Sequence, residues 1–148
     1  MNWTLTPPLL AMMSGAKVRP RRARPPAPKE IVLHMAVADL LRQHCLPDWR
    51  WTHINRTAKD ERQGKILQNM GVNPGWFDFE LISGPKRLSH FLDVKRIGED
   101  LSDEQKAFRD WGFTWNIPCA VAWTMDEVLT VFDTWGCLRI KYAKRASS

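Results

Sequence analysis

Asp78, Asp93 and Lys95 stand around a short turn in an order that suits metal-assisted hydrolysis. The segments Trp76–Ser83 and Leu88–Arg96 alternate enough to read as strands, and Gly84-Pro85-Lys86-Arg87 between them reads as a turn. A four-residue loop pairs Ser83 with Leu88. Glu80 then faces Phe91, Asp78 faces Asp93 and Trp76 faces Lys95. The other face carries Phe77 with Val94, Phe79 with Leu92 and Leu81 with His90, which is almost wholly apolar. Directly opposed side chains lie about 4.5–5.5 Å apart at Cβ, where like charges repel. Two aspartates so placed need a cation, a shared proton or solvent between them. A hard divalent ion such as Mg²⁺ or Mn²⁺ takes carboxylate oxygens and water. Lys95, two residues beyond Asp93, shares its side and can hold or deprotonate a water or steady a phosphate charge. The competing reading is a solvated outer face with ordinary surface charges. A bulge would slip the register and part the aspartates.

Further elements must hold this hairpin. Glu30–His44 reads as a helix with an apolar stripe of Leu33, Val37 and Leu40, widened by Met35, Ala38 and Leu41, and Pro47 closes it. Trp49–Asn55 suits a strand. Ala58–Met70 suits a polar helix that Gly71 stops. Ser102 with Gln105 makes a capping box for the next helix. Cys119–Trp123 is a short apolar strand, Met125–Trp135 an amphipathic helix ended by Gly136, and Leu138–Tyr142 an edge strand. The order is α, β, (α), β, β, α, β, α, (β), without internal repeats. It implies an α/β or α+β fold with a central mixed β-sheet flanked by helices.

The charge is lopsided. The net charge of +6 resides wholly in residues 1–29, where Lys17, Arg19, Arg21, Arg22, Arg24 and Lys29 meet no acid; residues 30–148 are neutral overall. Six of the ten prolines fall in the same stretch, which argues for an extended, disordered basic tail (1–29) ahead of a folded domain (30–148). Such an arm attracts phosphates without reading sequence, so Lys17, Arg19, Arg21, Arg22 and Arg24 are candidate DNA contacts; a solubilising tail is the plainer alternative. Met12 or Met13 is an alternative start. No secretory or transit pattern is visible, and no apolar run is long enough to span a bilayer. Three cysteines, without CxxC, fit neither a disulfide scaffold nor a zinc ribbon, so a reducing, cytoplasmic setting is expected, with the thiols as small buried hydrophobes.

Other polar residues have plainer readings beside functional ones. His34 lies one helical turn beyond Glu30 and reads as a core-edge histidine, with hydrogen bonding to the site as the alternative. His53 meets a phosphate or packs. Glu80, diagonal to Asp93, is a spare carboxylate. Arg96 points away from Lys95. Arg56, Lys59, Arg62 and Lys65 are diluted by Asp60 and Glu61 and read as a solvated helix. Trp111, Trp115, Trp123 and Trp135 read as core or subunit interface.

The ordered set of Gly75-Trp76-Phe77-Asp78, a hairpin and Asp93-Val94-Lys95 resembles the PD-(D/E)XK nuclease superfamily. Within it, residues 30–140 are similar to the virus-type replication–repair nuclease (VRR-NUC) family in its small stand-alone phage form. Glu30 matches the family's helix-opening glutamate and Gln105 its glutamine after the D/ExK strand. Trp51-Thr52-His53, Leu67–Gly71 and Thr134-Trp135-Gly136 are further likenesses. The chain departs at Phe77, where the family usually has proline, at Asp93, where it more often has glutamate, and in 55–59, which lacks its glycines. The resemblance implies a restriction-endonuclease-like core (αβββαβ). It implies a metal-dependent endonuclease acting on DNA phosphodiesters, selective for four-way junctions or other branched DNA, in phage-type replication or repair, and a homodimer. Asp78, Asp93, the Val94 carbonyl and Glu30 would hold Mg²⁺ or Mn²⁺. Lys95 would orient or activate the attacking water, and Gln105 would position Lys95 or a phosphate oxygen. The alternatives are a non-catalytic DNA-binding module that keeps the fold, or a flap or single-strand nuclease in a larger repair complex.

Overall fold

The computed structural model describes residues 29–54 and 60–141, so the basic tail before Lys29 lies outside the described residues. Helix α1 spans Glu30–His44. It buries Leu33, Val37 and Leu41, whose four-residue spacing forms one stripe. Met35 does not widen that stripe: two residues from both Leu33 and Val37, it falls on the far side of the helix and is 62% exposed.

Strand β1 spans Trp49–His53 and α2 spans Glu61–Asn69. Both are shorter than the sequence suggests. Strand β1 ends at His53, although the next residue, Ile54, still donates its N–H to the Asp78 carbonyl at 2.6 Å, and Asn55 lies outside the described residues. Helix α2 starts late because Asp60 is its N-cap, accepting from the Gln63 amide at 2.8 Å. Every α2 side chain is exposed or half-buried, as its polar sequence requires. Of its expected basic cluster, Arg56 and Lys59 lie outside the described residues.

The hairpin pairs strand β2 (Phe79–Ser83) with β3 (Leu88–Val94). The register is the one the four-residue turn demands, from Ser83 opposite Leu88 to Phe79 opposite Leu92. Helix α3 (Asp103–Thr114) then crosses over to β4 (Cys119–Ala122), and α4 (Met125–Trp135) closes the domain. Gly136 ends α4 at φ 72°, a left-handed conformation that glycine adopts without cost from a Cβ. The sheet order is β1-β2-β3-β4. The first three strands are antiparallel and β4 runs parallel to β3. The fold is thus a mixed α/β arrangement, a four-stranded mixed sheet flanked by helices. The expected edge strand at 138–142 reduces to one bridge between Leu138 and Cys45, and Tyr142 lies outside the described residues.

Two apolar layers cover the sheet. Leu33, Val37, Leu41, Phe79, Leu81, Leu92, Val94, Val128 and Phe132 pack between one sheet face and helices α1 and α4. Phe77, Phe91 and Leu101, with Trp76 and Phe108 against them, fill the other side under α3. Strand β3 is consequently buried on both faces from His90 to Val94. That overturns the solvated-outer-face reading, because Asp93 has no exposed surface at all. It also moves Phe77. The chain bends at Asp78, β2 starts only at Phe79, and Phe77 joins Phe91 rather than lying opposite Val94 with Phe79. Among the described residues no helix is long and apolar enough to cross a membrane.

Candidate functional site

One end of the sheet gathers the polar residues. Strand β1 ends there at His53, β2 begins there beyond Asp78, and β3 and β4 both end there, since His53 pairs with Phe79, Phe79 with Leu92 and Val94 with Ala122. The first turns of α1 and α3 bring Glu30, His34 and Gln105 to the same end.

The bend at Asp78 gives its carboxylate a task that the ladder would otherwise perform. Asp78 Oδ2 accepts the Val94 N–H at 2.9 Å, so a side chain replaces the backbone acceptor at the end of β3. The same oxygen lies 3.2 Å from His34 Nε2. Burial raises the Asp78 pKa, but the His34 ring, the Val94 amide and Lys95 outweigh it and hold the carboxyl below its ordinary value. His34 is shifted up, first by Asp78 and against the opposing effect of burial, with Glu30 and the Val94 carbonyl adding to the rise. Glu30 Oε1 stands 3.7 Å from the same ring nitrogen.

Asp93 is the group under most tension. Burial and the neighbouring Asp78 carboxylate push its pKa up to about 7, although the Lys95 ammonium opposes the rise. Lys95 Nζ lies 3.0 Å from Asp93 Oδ2. No hydrogen bond of regular geometry joins them, yet the ammonium is the charge partner of the buried Oδ2. Burial lowers the Lys95 pKa, and Asp93, Asp78 and Glu30 together overcome this and raise it. Lys95 therefore serves as a cation at neutral pH and does not stand ready as a general base.

Gln105 contacts Asp93, not Lys95. Its Nε2 donates to Asp93 Oδ1 at 3.0 Å, while its Oε1 accepts the Ser102 N–H at 3.0 Å. The capping box thus does more than start α3: it aims the amide donor at the buried acid.

Of the site residues expected from sequence, Glu30, Asp78, Asp93, Lys95 and Gln105 are brought to one locus, and the Val94 carbonyl lies near His34. His34 is not a core-edge spectator, since it touches Asp78. The hint was its four-residue spacing from Glu30. His53 was weighed as packing or phosphate contact. Its exposed ring lies 5.0 Å from that of His34 and 4.8 Å from that of Phe79, centroid to centroid. Burial and His34 lower its pKa. Only the hairpin register combined with the β1 pairing puts position 53 beside Asp78, and the register between non-adjacent strands is not written in either one. Glu80 is taken up by Ser89, whose Oγ donates to it at 2.9 Å. Arg96 is exposed. Of the four tryptophans, Trp135 belongs to the core, whereas Trp111 and Trp115 are exposed and Trp123 donates its ring N–H to the Glu99 carbonyl. Cys137 is fully buried, Cys45 and Cys119 are half-buried, and all three are free thiols. The tail positions Lys17, Arg19, Arg21, Arg22 and Arg24 lie outside the described residues.

Glu30, Asp78 and Asp93 offer carboxylate oxygens, the donor class that a hard divalent cation takes. Burial and the Asp78 carboxylate push the Asp93 pKa up to about 7, and the Lys95 ammonium is the charge partner of its buried Oδ2. Searches against family models, curated proteins and solved structures match nothing to this chain.

Proposed function

We propose that the protein is a metal-dependent endonuclease of PD-(D/E)XK type, resembling the VRR-NUC family, that hydrolyses DNA phosphodiesters and selects branched DNA. The observation that carries this reading is the convergence of Asp78, Asp93 and Lys95 at the end of β3, with Asp93 fully buried and pushed up to about 7. An acid so placed costs stability when ionised and suits a cation-dependent task. In this reading Asp78, Asp93, the Val94 carbonyl and Glu30 hold Mg²⁺ or Mn²⁺, which when bound polarises the scissile phosphate and neutralises charge in the transition state. Lys95, kept protonated by Asp93 and Asp78, donates to a phosphate oxygen or orients the attacking water. Gln105 holds Asp93 in place. That makes it a positioning residue for the acid, and the role first considered for it, on Lys95, gives way. The basic tail adds non-specific attraction to the DNA backbone. A homodimer would set two such sites on the two strands of a four-way junction.

The test is a panel of four-way, flap, splayed and duplex DNA incubated with the full chain and Mg²⁺ or Mn²⁺, beside Asp93→Ala and Lys95→Ala. Cleavage of the branched substrates is expected, falling by at least about 10²-fold in each variant. Preferred cleavage of flaps would shift the reading to a flap nuclease. Metal-independent DNA binding without cleavage would leave a non-catalytic DNA-binding module. Sedimentation reads the oligomeric state.

A further inference from the structure

We infer that His34, His53 and Asp78 form a second cation site, selective for a first-row transition ion of the Zn²⁺ or Co²⁺ kind and sharing Asp78 with the carboxylate pair. One ligand atom from each of these residues lies within 4.8 Å of the others. They come from α1, β1 and the bend before β2, so the sheet register and not a sequence motif assembles them. Two observations point to an ion. His34 Nε2 is buried and faces Asp78 Oδ2 at 3.2 Å and Glu30 Oε1 at 3.7 Å, with no hydrogen bond of regular geometry to either. Two metal–ligand bonds of about 2.1 Å spanning the gap to Asp78 would meet at roughly 100°, close to a tetrahedral angle. Asp78 Oδ2 is meanwhile held in orientation by the Val94 amide, the kind of outer support that metal-bound carboxylates have.

The donor chemistry separates this site from the one proposed above. Two imidazoles and one carboxylate favour borderline ions, whereas Mg²⁺ prefers oxygen and water. His53 is exposed and meets the site by ring packing on His34 and Phe79, which leaves its ring free to rotate and complete the set. Asp78 links the two positions and would couple them. The inference stands on the His34–His53–Asp78 geometry and does not require that the protein cut DNA.

Direct binding tests it. Untagged full-length protein is titrated with Co²⁺ and followed by visible absorption, then with Zn²⁺ as competitor, in a hundredfold excess of Mg²⁺. One Co²⁺ with nitrogen–oxygen ligation, without thiolate charge-transfer bands, is expected to bind and to be displaced by Zn²⁺. His53→Ala, a change at an exposed position, should weaken binding at least tenfold, and His34→Ala should do the same where circular dichroism shows it folded. Glu80→Gln, at a carboxylate already engaged by Ser89, should keep the signal. No binding by the wild type overturns the inference, as does binding that His53→Ala leaves unchanged. Absence of DNA cleavage by the wild type that nevertheless binds Co²⁺ would count against the nuclease reading alone.

Discussion

Gln105 Nε2 donates to Asp93 Oδ1 across 3.0 Å, and the Ser102 amide decides which end of Gln105 does so. Rotating the side-chain amide by half a turn would break both bonds, so helix capping and site geometry are one arrangement. Two substitutions separate the contributions. Gln105→Glu keeps an acceptor for Ser102 but presents a further carboxylate to Asp93. Gln105→Ala removes both bonds. The alanine variant should lose about 1–3 kcal/mol in urea unfolding. The glutamate variant should retain more helix stability yet move the alkaline shift of any cleavage pH profile further upward, because a like charge raises the Asp93 pKa. Equal behaviour of the two would mean that the cap alone matters.

Asp93 makes folding stability fall with rising pH. In the unfolded chain it ionises near 3.8, and in the fold at about 7. Between those values the unfolded chain has released a proton that the fold retains, so unfolding becomes easier as pH rises through that window. The raised His34 acts in the same sense above its ordinary value of 6.5, while the depressed Asp78 contributes stability that is lost on acidification below 3.8. Asp93→Asn removes the first contribution. Its stability relative to wild type should therefore be greater at pH 8 than at pH 5 in metal-free buffer, measured by urea midpoints at each pH. An unchanged difference would show that Asp93 titrates normally.

A divalent cation should reverse that penalty. Bound between Asp78 and Asp93, it would replace the proton and gain most where the acid is ionised. At a hundredfold excess over its Kd, one ion adds about 2.7 kcal/mol. Thermal unfolding with Mn²⁺ or Mg²⁺ should show a rise in Tm that is larger at pH 8 than at pH 5.5 and absent in Asp93→Asn. A rise of the same size in that variant would place the ion elsewhere.

The hairpin was legible because its register depends on local chemistry: a Gly-Pro turn and strict alternation fix Phe79 opposite Leu92 and bring Asp78 to the end of β3. Helix α1 was legible from its stripe, and the capping box of α3 from four residues. What escaped depends on neighbours distant in sequence. Whether the Asp93 face is solvated depends on α3 folding back over it, and periodicity within β3 is silent on that. The bend at Asp78, which sends Phe77 under α3, answers to packing against Phe91 and Phe108. His53 joins His34 only through two successive strand pairings. Short reach in sequence made a feature readable, and assembly across the sheet hid it.

Gly75 tests how closely α3 must approach the bend at Asp78. Its φ is +83°, and a Cβ there would stand 2.5 Å from Glu104 Cβ and 2.6 Å from the Glu104 carbonyl carbon and oxygen. The obstruction is largely backbone, so no side-chain rotation relieves it. Glu104 immediately precedes Gln105, and any retreat of the first turn of α3 draws the amide away from Asp93. Gly71 supplies the control: its φ is +84°, yet nothing lies within 4 Å of its added Cβ. Gly71→Ala carries only the left-handed conformational cost, about 1–2 kcal/mol. Gly75→Ala adds the collision and should cost at least about 2 kcal/mol more in urea unfolding. In folded Gly75→Ala protein the Asp93 pKa, followed by carboxyl NMR, should also rise, because the Gln105 hydrogen bond favours the ionised acid. If Gly71→Ala and Gly75→Ala were equally destabilised and shared the wild-type Asp93 titration, the close approach of the 72–78 segment to α3 would have no part in holding the acid.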